Sequence, residues 1–362
     1  MADRIWNFNP GPATLPLPVL QKAKEEIPNY AGTGMAVMEL SHRSKEYAAI
    51  HAEAKNLLVD LFGIPENFKV LLLQGGSSLQ FAMIPMNLLG EGKSSDYIIT
   101  GSWSKKAIKE AKILGSAKVA GSSEEAKFNK IPKQNELTLD PNAVYVHITS
   151  NNTIAGTQWH TFPDTGNVPL VADMCSDILS RKVDFSKFDL IYASAQKNLG
   201  PAGVTVAIIS DELAAKCRND IPTLLKYATH IEKDSTFNTP PTYSIYIVKL
   251  VLEWIKESGG LEGIEKTNQA KGKLLYETID GHKEFYRGTV EHDSRSLMNA
   301  TFRLPTEDLE AKFLSEAASA GFGGLKGHRS VGGIRVSMYN AMPLKGIQEL
   351  TDFMKEFAKK NG

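Results

Sequence analysis

The chain has 362 residues, with 41 Lys plus Arg against 41 Asp plus Glu, a formal net charge of zero and 42% apolar residues. That length suits two domains of about 100 to 200 residues. The neutral balance argues against a nucleic-acid binder, which needs a basic surplus to displace counterions, and against polybasic attachment to anionic lipid. No apolar run approaches the ~18 residues of a spanning helix, and Met1-Ala2-Asp3-Arg4 lacks the apolar core of a signal peptide. Two cysteines, Cys175 and Cys217, cannot build a disulfide framework, so the chain is expected in the cytoplasm with both thiols buried and structural.

In chain order, Asn7 to Pro18 carries Pro10, Pro12, Pro16 and Pro18, which forbids regular structure and predicts an extended arm lying across another part of the molecule. Short apolar runs then alternate with helical patterns. Val70–Leu73 reads as a buried strand, Ser77–Leu89 as a helix and Asp96–Thr100 as a strand. Ser104–Leu114 gathers Ala107, Ile108, Ala111 and Leu114 on one helical face before Gly115 stops it. Further strands are expected at Ala143–Thr149, Leu170–Met174, Leu190–Ala193 and Val204–Ile209. Continuous apolar strands separated by helices predict an α/β fold with a sheet covered on both faces. After Gly259-Gly260 the pattern becomes α+β: a helix over 263–278, a strand over Ala300–Leu304, and a helix over Asp308–Ala320 capped by Thr306. A strand over Gly333–Met338 and a last amphipathic helix through Ile347, Leu350, Met354 and Phe357 complete it. The chain thus divides into an arm (1–15), a large domain (16–260) and a small C-terminal domain (261–362).

Several familiar motifs fail. Gly92-Lys93-Ser94 lacks the upstream glycine of a Walker loop, since that position is Asn87, and it follows a helix instead of a strand. Gly321 to Lys326 puts Lys326 where a dinucleotide fingerprint needs a small residue. No paired histidine spacing supports a metal site, and there is no Ser nucleophile elbow. What remains is a set of polar residues at the carboxyl ends of the strands, where open α/β sheets gather their ligands. Gly75-Gly76-Ser77-Ser78 opens a helix directly after a strand and can bind an anion through free amides and the helix dipole. Trp103 can stack on a flat ring, and Thr153 can donate to a ring oxygen. Asp173 ends an apolar strand, where a carboxylate is costly unless a cation joins it. Gln196-Lys197 follows the next strand. Each has an ordinary structural reading when taken singly. Together they suit a flat phosphorylated ring with a pyridine nitrogen and an aldehyde: lysine supplies the condensing amine, aspartate keeps the nitrogen protonated, and glycine and serine amides hold the phosphate. That ligand is pyridoxal phosphate.

The segments Asn7 to Ala13, Glu39 to Ser44, Gln196 to Gly203, Phe237 to Pro241 and Gly327 to Gly333 resemble the signatures of the phosphoserine aminotransferase family, class-V members of the fold-type-I pyridoxal-phosphate enzymes. The similarity runs in order along the whole chain. It implies a large, mixed, mostly parallel sheet and a smaller α+β unit. It also implies cofactor contacts from Ser77, Ser78, Trp103, Thr153, Asp173, Gln196 and the catalytic Lys197. Asn238 and Thr239 would reach the cofactor of a neighbouring subunit, making a homodimer with shared sites. His42, Arg43 and Arg335 would bind substrate anions, joined by His328 and Arg329 from the partner chain. Some members carry an arginine beside the glycines where this chain has Ser78.

The implied reaction moves the amino group of L-glutamate to 3-phosphohydroxypyruvate, giving O-phospho-L-serine and 2-oxoglutarate; use of 4-phosphooxy-L-threonine in pyridoxine biosynthesis stays open. Two doubly anionic substrates independently favour fixed cationic poles, and arginine forks suit both carboxylate and phosphate. A cysteine desulfurase of the same class would need a cysteine after Cys217, and none follows. An aminotransferase acting on glyoxylate would have less use for the second cationic pole, and the Asp173 and Lys197 pair argues against a catalytically silent binding protein.

Overall fold

The computed structural model describes residues 4–362. Its elements are β1 (Trp6–Asn7), α1 (Leu17–Glu26), α2 (Lys45–Phe62), β2 (Phe68–Leu73), α3 (Gly76–Leu88), β3 (Ser94–Ile99), α4 (Ser102–Leu114), β4 (Ser116–Ser122), β5 (Val146–Thr149), β6 (Leu170–Asp173), β7 (Leu190–Ser194) and β8 (Thr205–Ser210). They continue with α5 (Asp211–Ala215), α6 (Tyr227–Glu232), α7 (Thr242–Glu257), α8 (Gly260–Gly281), β9 (Arg287–Gly288), β10 (Asn299–Arg303), α9 (Glu307–Ser319), β11 (Phe322–Gly323), β12 (Ile334–Ser337) and α10 (Leu344–Asn361).

Seven strands form the main sheet in the order β2-β8-β7-β6-β5-β3-β4. Only β8 runs against its neighbours, so β2, β3, β5, β6 and β7 all end on one edge. Side chains alternate between faces along each strand. Val70 and Leu72 pack with Ile148, Ala172 and Val206 beneath α2 and α7. Leu71 and Leu73 pack with Tyr97, Val171 and Tyr192 beneath α3 and α4. The expected strands are all present, with ends that differ by up to three residues. β4 went unassigned because it is an edge strand whose polar sequence SAKVAGS stays largely exposed. Helices α1, α2 and α7 were likewise unassigned, and α1 begins at Leu17 with Pro18 in its first turn, where a missing N–H is harmless.

A second apolar cluster joins Leu275, Phe302, Phe313, Val336, Leu350 and Phe357 from α8, β10, α9, β12 and α10. The antiparallel sheet β12-β10-β9 lies within it. Thr306 caps α9 as expected, its hydroxyl accepting from Leu309 N at 3.2 Å. Among the described residues no helix is long and apolar enough to cross a membrane.

The arm crosses between these two cores. Trp6 and Asn7 pair in parallel with Phe322 and Gly323, so Asn7, expected in an irregular arm, belongs to a short strand, and the irregular stretch begins at Phe8. Phe8 is fully buried in the C-terminal cluster, while Ala13 N donates to Gln196 O at 2.9 Å, beside Lys197. Gly324 makes this crossing possible: its φ is +80°, and a Cβ there would stand 2.6 Å from Asn9 N. Replacing Gly324 by Ala should cost ~1–3 kcal/mol of stability in urea unfolding and speed limited proteolysis of the arm. Unchanged cleavage would show that the arm is held elsewhere.

Candidate active site

The anion end of the site is built where β2 turns into α3. Gly75 and Gly76 adopt φ of +88° and +67°, conformations that side chains rarely tolerate. The turn brings the first amides of α3 to the carboxyl edge of the sheet. Ser77 N donates to Ser194 Oγ at 2.7 Å, and the two hydroxyls lie 2.7 Å apart. Ser77 Oγ also meets Cys175 Sγ.

Asp173 stands at the last position of β6, 5% exposed. Its Oδ1 accepts from Cys175 N at 2.9 Å. Burial pushes its carboxyl above the usual range; Cys175 and the Lys197 charge oppose that shift. The cationic partner expected for this carboxylate is thus an ammonium acting through space, with no direct ion pair to Asp173 among the described residues. Lys197 follows β7 and lies 5.6 Å from the Trp103 ring centre. The indole is fixed by its own N–H, which donates to Thr153 Oγ1 at 3.2 Å.

Arg335 enters from β12. One guanidinium nitrogen donates to Thr153 O at 3.0 Å, while Nε is buried without a partner. Burial pulls its pKa below the ordinary value, which leaves a desolvated cation ready for an anion. His328 sits beside it because the 324–333 loop is closed by Gly327 N donating to Gly333 O and by Arg335 N donating to Leu325 O, both 2.8 Å. Its pKa is lowered by burial first, then by Arg335, Arg329 and Lys106.

Ser77, Ser78, Trp103, Thr153, Asp173, Gln196, Lys197, His328 and Arg335 therefore line one cavity of about 270 Å³. A wider cleft of about 930 Å³ adjoins it, with Trp103 and Ile154 as a common wall; the lysine and aspartate face only the smaller space. Five expected residues lie elsewhere. His42 and Arg43 precede α2, His42 with a buried and unpartnered Nε2 and Arg43 exposed. Asn238 lines a separate pocket beside β2, and Thr239 O accepts from Gln74 Nε2 at 3.0 Å. Arg329 is exposed and does not line the cavity. His328, expected from a partner chain, lines the cavity of its own chain, carried there by the loop that leads into β12.

Residues the sequence did not single out complete the walls. Pro10 and Gly11 form one side, where a Cβ on Gly11 would stand 3.2 Å from Lys197 Cγ. Cys175, expected as a purely structural thiol, lines the cavity and links Asp173 to Ser77; Cys217 is half-buried, not buried. Ser194, the last residue of β7, was visible only as a neighbour of Lys197.

A deep carboxylate, an amine, a stacked indole, a cradle of serines on a helix start and an unpaired guanidinium define a site for an anionic ring and a carboxylate substrate. Residues 5–350 match the family model of class-V aminotransferases, and the chain belongs to that family. The particular relatives agree. The phosphoserine aminotransferase of Desulfosudis oleivorans is 58% identical over 364 residues, all of both chains. That of Halalkalibacterium halodurans is 56% identical over 98% of each. The solved phosphoserine aminotransferase of Bacillus circulans subsp. alkalophilus superposes with a TM-score of 0.97 at 52% identity over 99% of each chain. A pyridoxal-phosphate-bound one from Trichomonas vaginalis gives 0.93 at 37% identity, over 97% of this chain and 100% of that one.

The cofactor is pyridoxal phosphate, and the residues present fit it: the buried carboxyl of Asp173 would meet a cationic ring nitrogen, and the Ser77 turn at the start of α3 would receive the phosphate. Ser194 holds that cradle in place. Ser194→Ala should weaken cofactor affinity by about tenfold, the loss of one to two hydrogen bonds, in an absorbance titration of the apoenzyme. An unchanged titration would remove Ser194 from the cradle.

Proposed function

We propose that the chain transfers the amino group of L-glutamate to 3-phosphohydroxypyruvate, giving O-phospho-L-serine and 2-oxoglutarate in serine biosynthesis. The observation that carries this reading is the meeting of Lys197, Asp173 and the unpaired Nε of Arg335 in one cavity, in a chain whose relatives are phosphoserine aminotransferases. Bound pyridoxal phosphate supplies an aldehyde that condenses with amines and a ring that draws electrons from the neighbouring carbon.

Each residue has a physical task. Asp173, kept from water, holds a proton on the ring nitrogen by its charge. Ser77, Ser78 and the α3 amides would hold the phosphate, Trp103 would stack on the ring, and Thr153 and Gln196 would make polar contacts with it. The Lys197 amine is the catalytic base: it takes the proton from the substrate Cα and returns one on the far side of the exchange. Arg335 grips the α-carboxylate with a charge-assisted fork. His328 lies near enough to receive the substrate's second anionic group.

The remaining residues belong to a homodimer in this reading. His42 and Arg43, which the resemblance groups with Arg335 in one chain's site, lie outside that chain's cavity and supply a partner's substrate pole, as Arg329 does, while Asn238 and Thr239 reach a partner's cofactor phosphate. Their positions outside the chain's own cavity support that assignment, as does the unpartnered Nε2 of His42. The division into an arm (1–15), a large cofactor-binding domain (16–260) and a small domain (261–362) is part of the same reading, supported by the separate apolar clusters. Residence in the cytoplasm is supported by two free thiols. A side activity toward 4-phosphooxy-L-threonine in pyridoxine biosynthesis would use the same two anion poles.

A coupled assay with glutamate and 3-phosphohydroxypyruvate tests the reaction, and inactivity of the purified holoenzyme would refute it. Lys197→Ala should erase the absorbance of the lysine-linked cofactor and nearly all turnover. For the shared site, Lys197→Ala and Arg43→Ala subunits refolded together should regain activity that neither has alone, because one of the two sites in a mixed dimer receives both intact residues. Absence of recovery would oppose the shared arrangement.

A further inference from the structure

Lys271, in the middle of α8, is fully buried, and among the described residues no carboxylate pairs with it. A buried lysine without a counter-charge is expensive, and burial lowers its pKa from 10.5 to about 7. Its Nζ donates to two consecutive carbonyls, Met338 O at 2.9 Å and Tyr339 O at 2.7 Å. Both bonds are made to backbone oxygens, so the side chain directs its donors to one short segment. The side chain is therefore a bracket for the backbone just beyond β12.

That backbone touches the active site twice. The Tyr339 hydroxyl donates to Pro10 O at 2.6 Å and accepts from Asn299 Nδ2 at 3.2 Å. Pro10 precedes Gly11, whose backbone packs on the Lys197 stem. Next along, Asn340 N donates to Asn198 Oδ1 at 3.0 Å, and Asn198 adjoins Lys197. Asn268, one turn before Lys271 on α8, donates to Asn340 Oδ1 at 2.9 Å. One helix thus grips three successive residues, 338 to 340, and these bear on the catalytic lysine from two sides. Four residues upstream of Tyr339, the same strand carries Arg335.

We propose that Lys271 is a positioning residue of the active site: it fixes Met338 to Asn340, which hold the arm and Asn198 against Lys197. The inference rests on the aminotransferase reading, and the wild-type holoenzyme separates the two, since its inactivity in the coupled assay refutes that reading alone. Lys271→Met keeps the length and removes the donors. In the holoenzyme we expect the cofactor to remain bound, kcat to fall by about 10- to 100-fold, as for small misplacements of catalytic groups, and KM for glutamate to change by less than about threefold. The pH titration of the bound cofactor's visible absorbance should shift as well, which a loss of stability alone would not produce. Lys271→Gln, which restores two N–H donors on one nitrogen, should recover part of kcat. Tyr339→Phe, which removes only the hydroxyl, should reproduce the kcat loss and decides the matter if the α8 variants do not fold. A Tyr339→Phe or Lys271→Met enzyme with kcat and absorbance titration within twofold of the wild type overturns the proposal.

Discussion

The buried carboxylate of Asp173 is the constraint on which the rest of the site depends. At the end of a strand flanked by apolar neighbours, it accepts one backbone hydrogen bond and is otherwise stripped of water. Burial raises its pKa, and the hydrogen bonds from Cys175 and the charge of Lys197 oppose that shift. The sheet makes this placement possible because five strands end on one edge and deliver Ser77, Trp103, Thr149, Asp173 and Ser194 to the same space. A second acid, Asp177, lies close by, but it is engaged by Ser150, Gln158 and Arg181. Asp173 is left as the free anion facing the cavity.

Unpaired cations gather around His328. Arg335, Arg329 and Lys106 have no carboxylate partner among the described residues, and all three depress the His328 pKa. Elsewhere acids and bases neutralise one another locally, as at Lys22 with Glu253, Arg295 with Asp280 and Arg303 with Glu310. A net charge of zero therefore conceals an uneven local distribution, with Asp173, Lys197 and Arg335 in one cavity and Arg329 and Lys106 acting on His328 at its edge. Glutamate and a phosphorylated oxo acid both carry two anionic groups, and each fits such a field without any basic surplus in the chain as a whole.

Strand-end chemistry was legible in the sequence because it is local: an apolar run followed by Asp173 or by Gln196-Lys197 announces both the strand and the edge it points to. The two central clusters of apolar runs also fixed which faces of the sheet are covered. Contacts made over long separations were not legible. Nothing in Pro10-Gly11-Pro12 says that it lies on Lys197, since that depends on Phe8 entering a core built from residues after 270. Lys271 reads in sequence as one more polar residue on an amphipathic helix, and only the fold shows it at zero exposure. His328 lines the cavity of its own chain because its loop is closed by bonds to Gly333 and Leu325, contacts that the sequence does not display. β4 and the short α1, which buries only Val19 and Ala23, carry little periodic contrast, whereas α2, with Tyr47, Ile50, Ala54, Leu57, Leu58 and Phe62 at helical spacing after the Ser44 cap, is legible in the sequence.

The arm explains how two separate cores can share one site. Its first part belongs to the C-terminal core: Trp6 donates to Glu349 at 2.6 Å, and Phe8 is fully buried there. Its second part lies on the large sheet's edge, where Ala13 N is tied to Gln196 O. Between them, Gly11 passes so close to the Lys197 stem that a methyl group would crowd it, and flanking prolines stiffen the span. A shift of the C-terminal core relative to the sheet must then either stretch this short stiff segment or move the backbone beside Lys197. Arg335 and the 338–340 segment ride on the same core, so the carboxylate grip and the position of the base move together. In the proposed reaction, chain connectivity would couple substrate capture to the placement of the catalytic amine, through Phe8 at one end of the arm and Ala13 at the other.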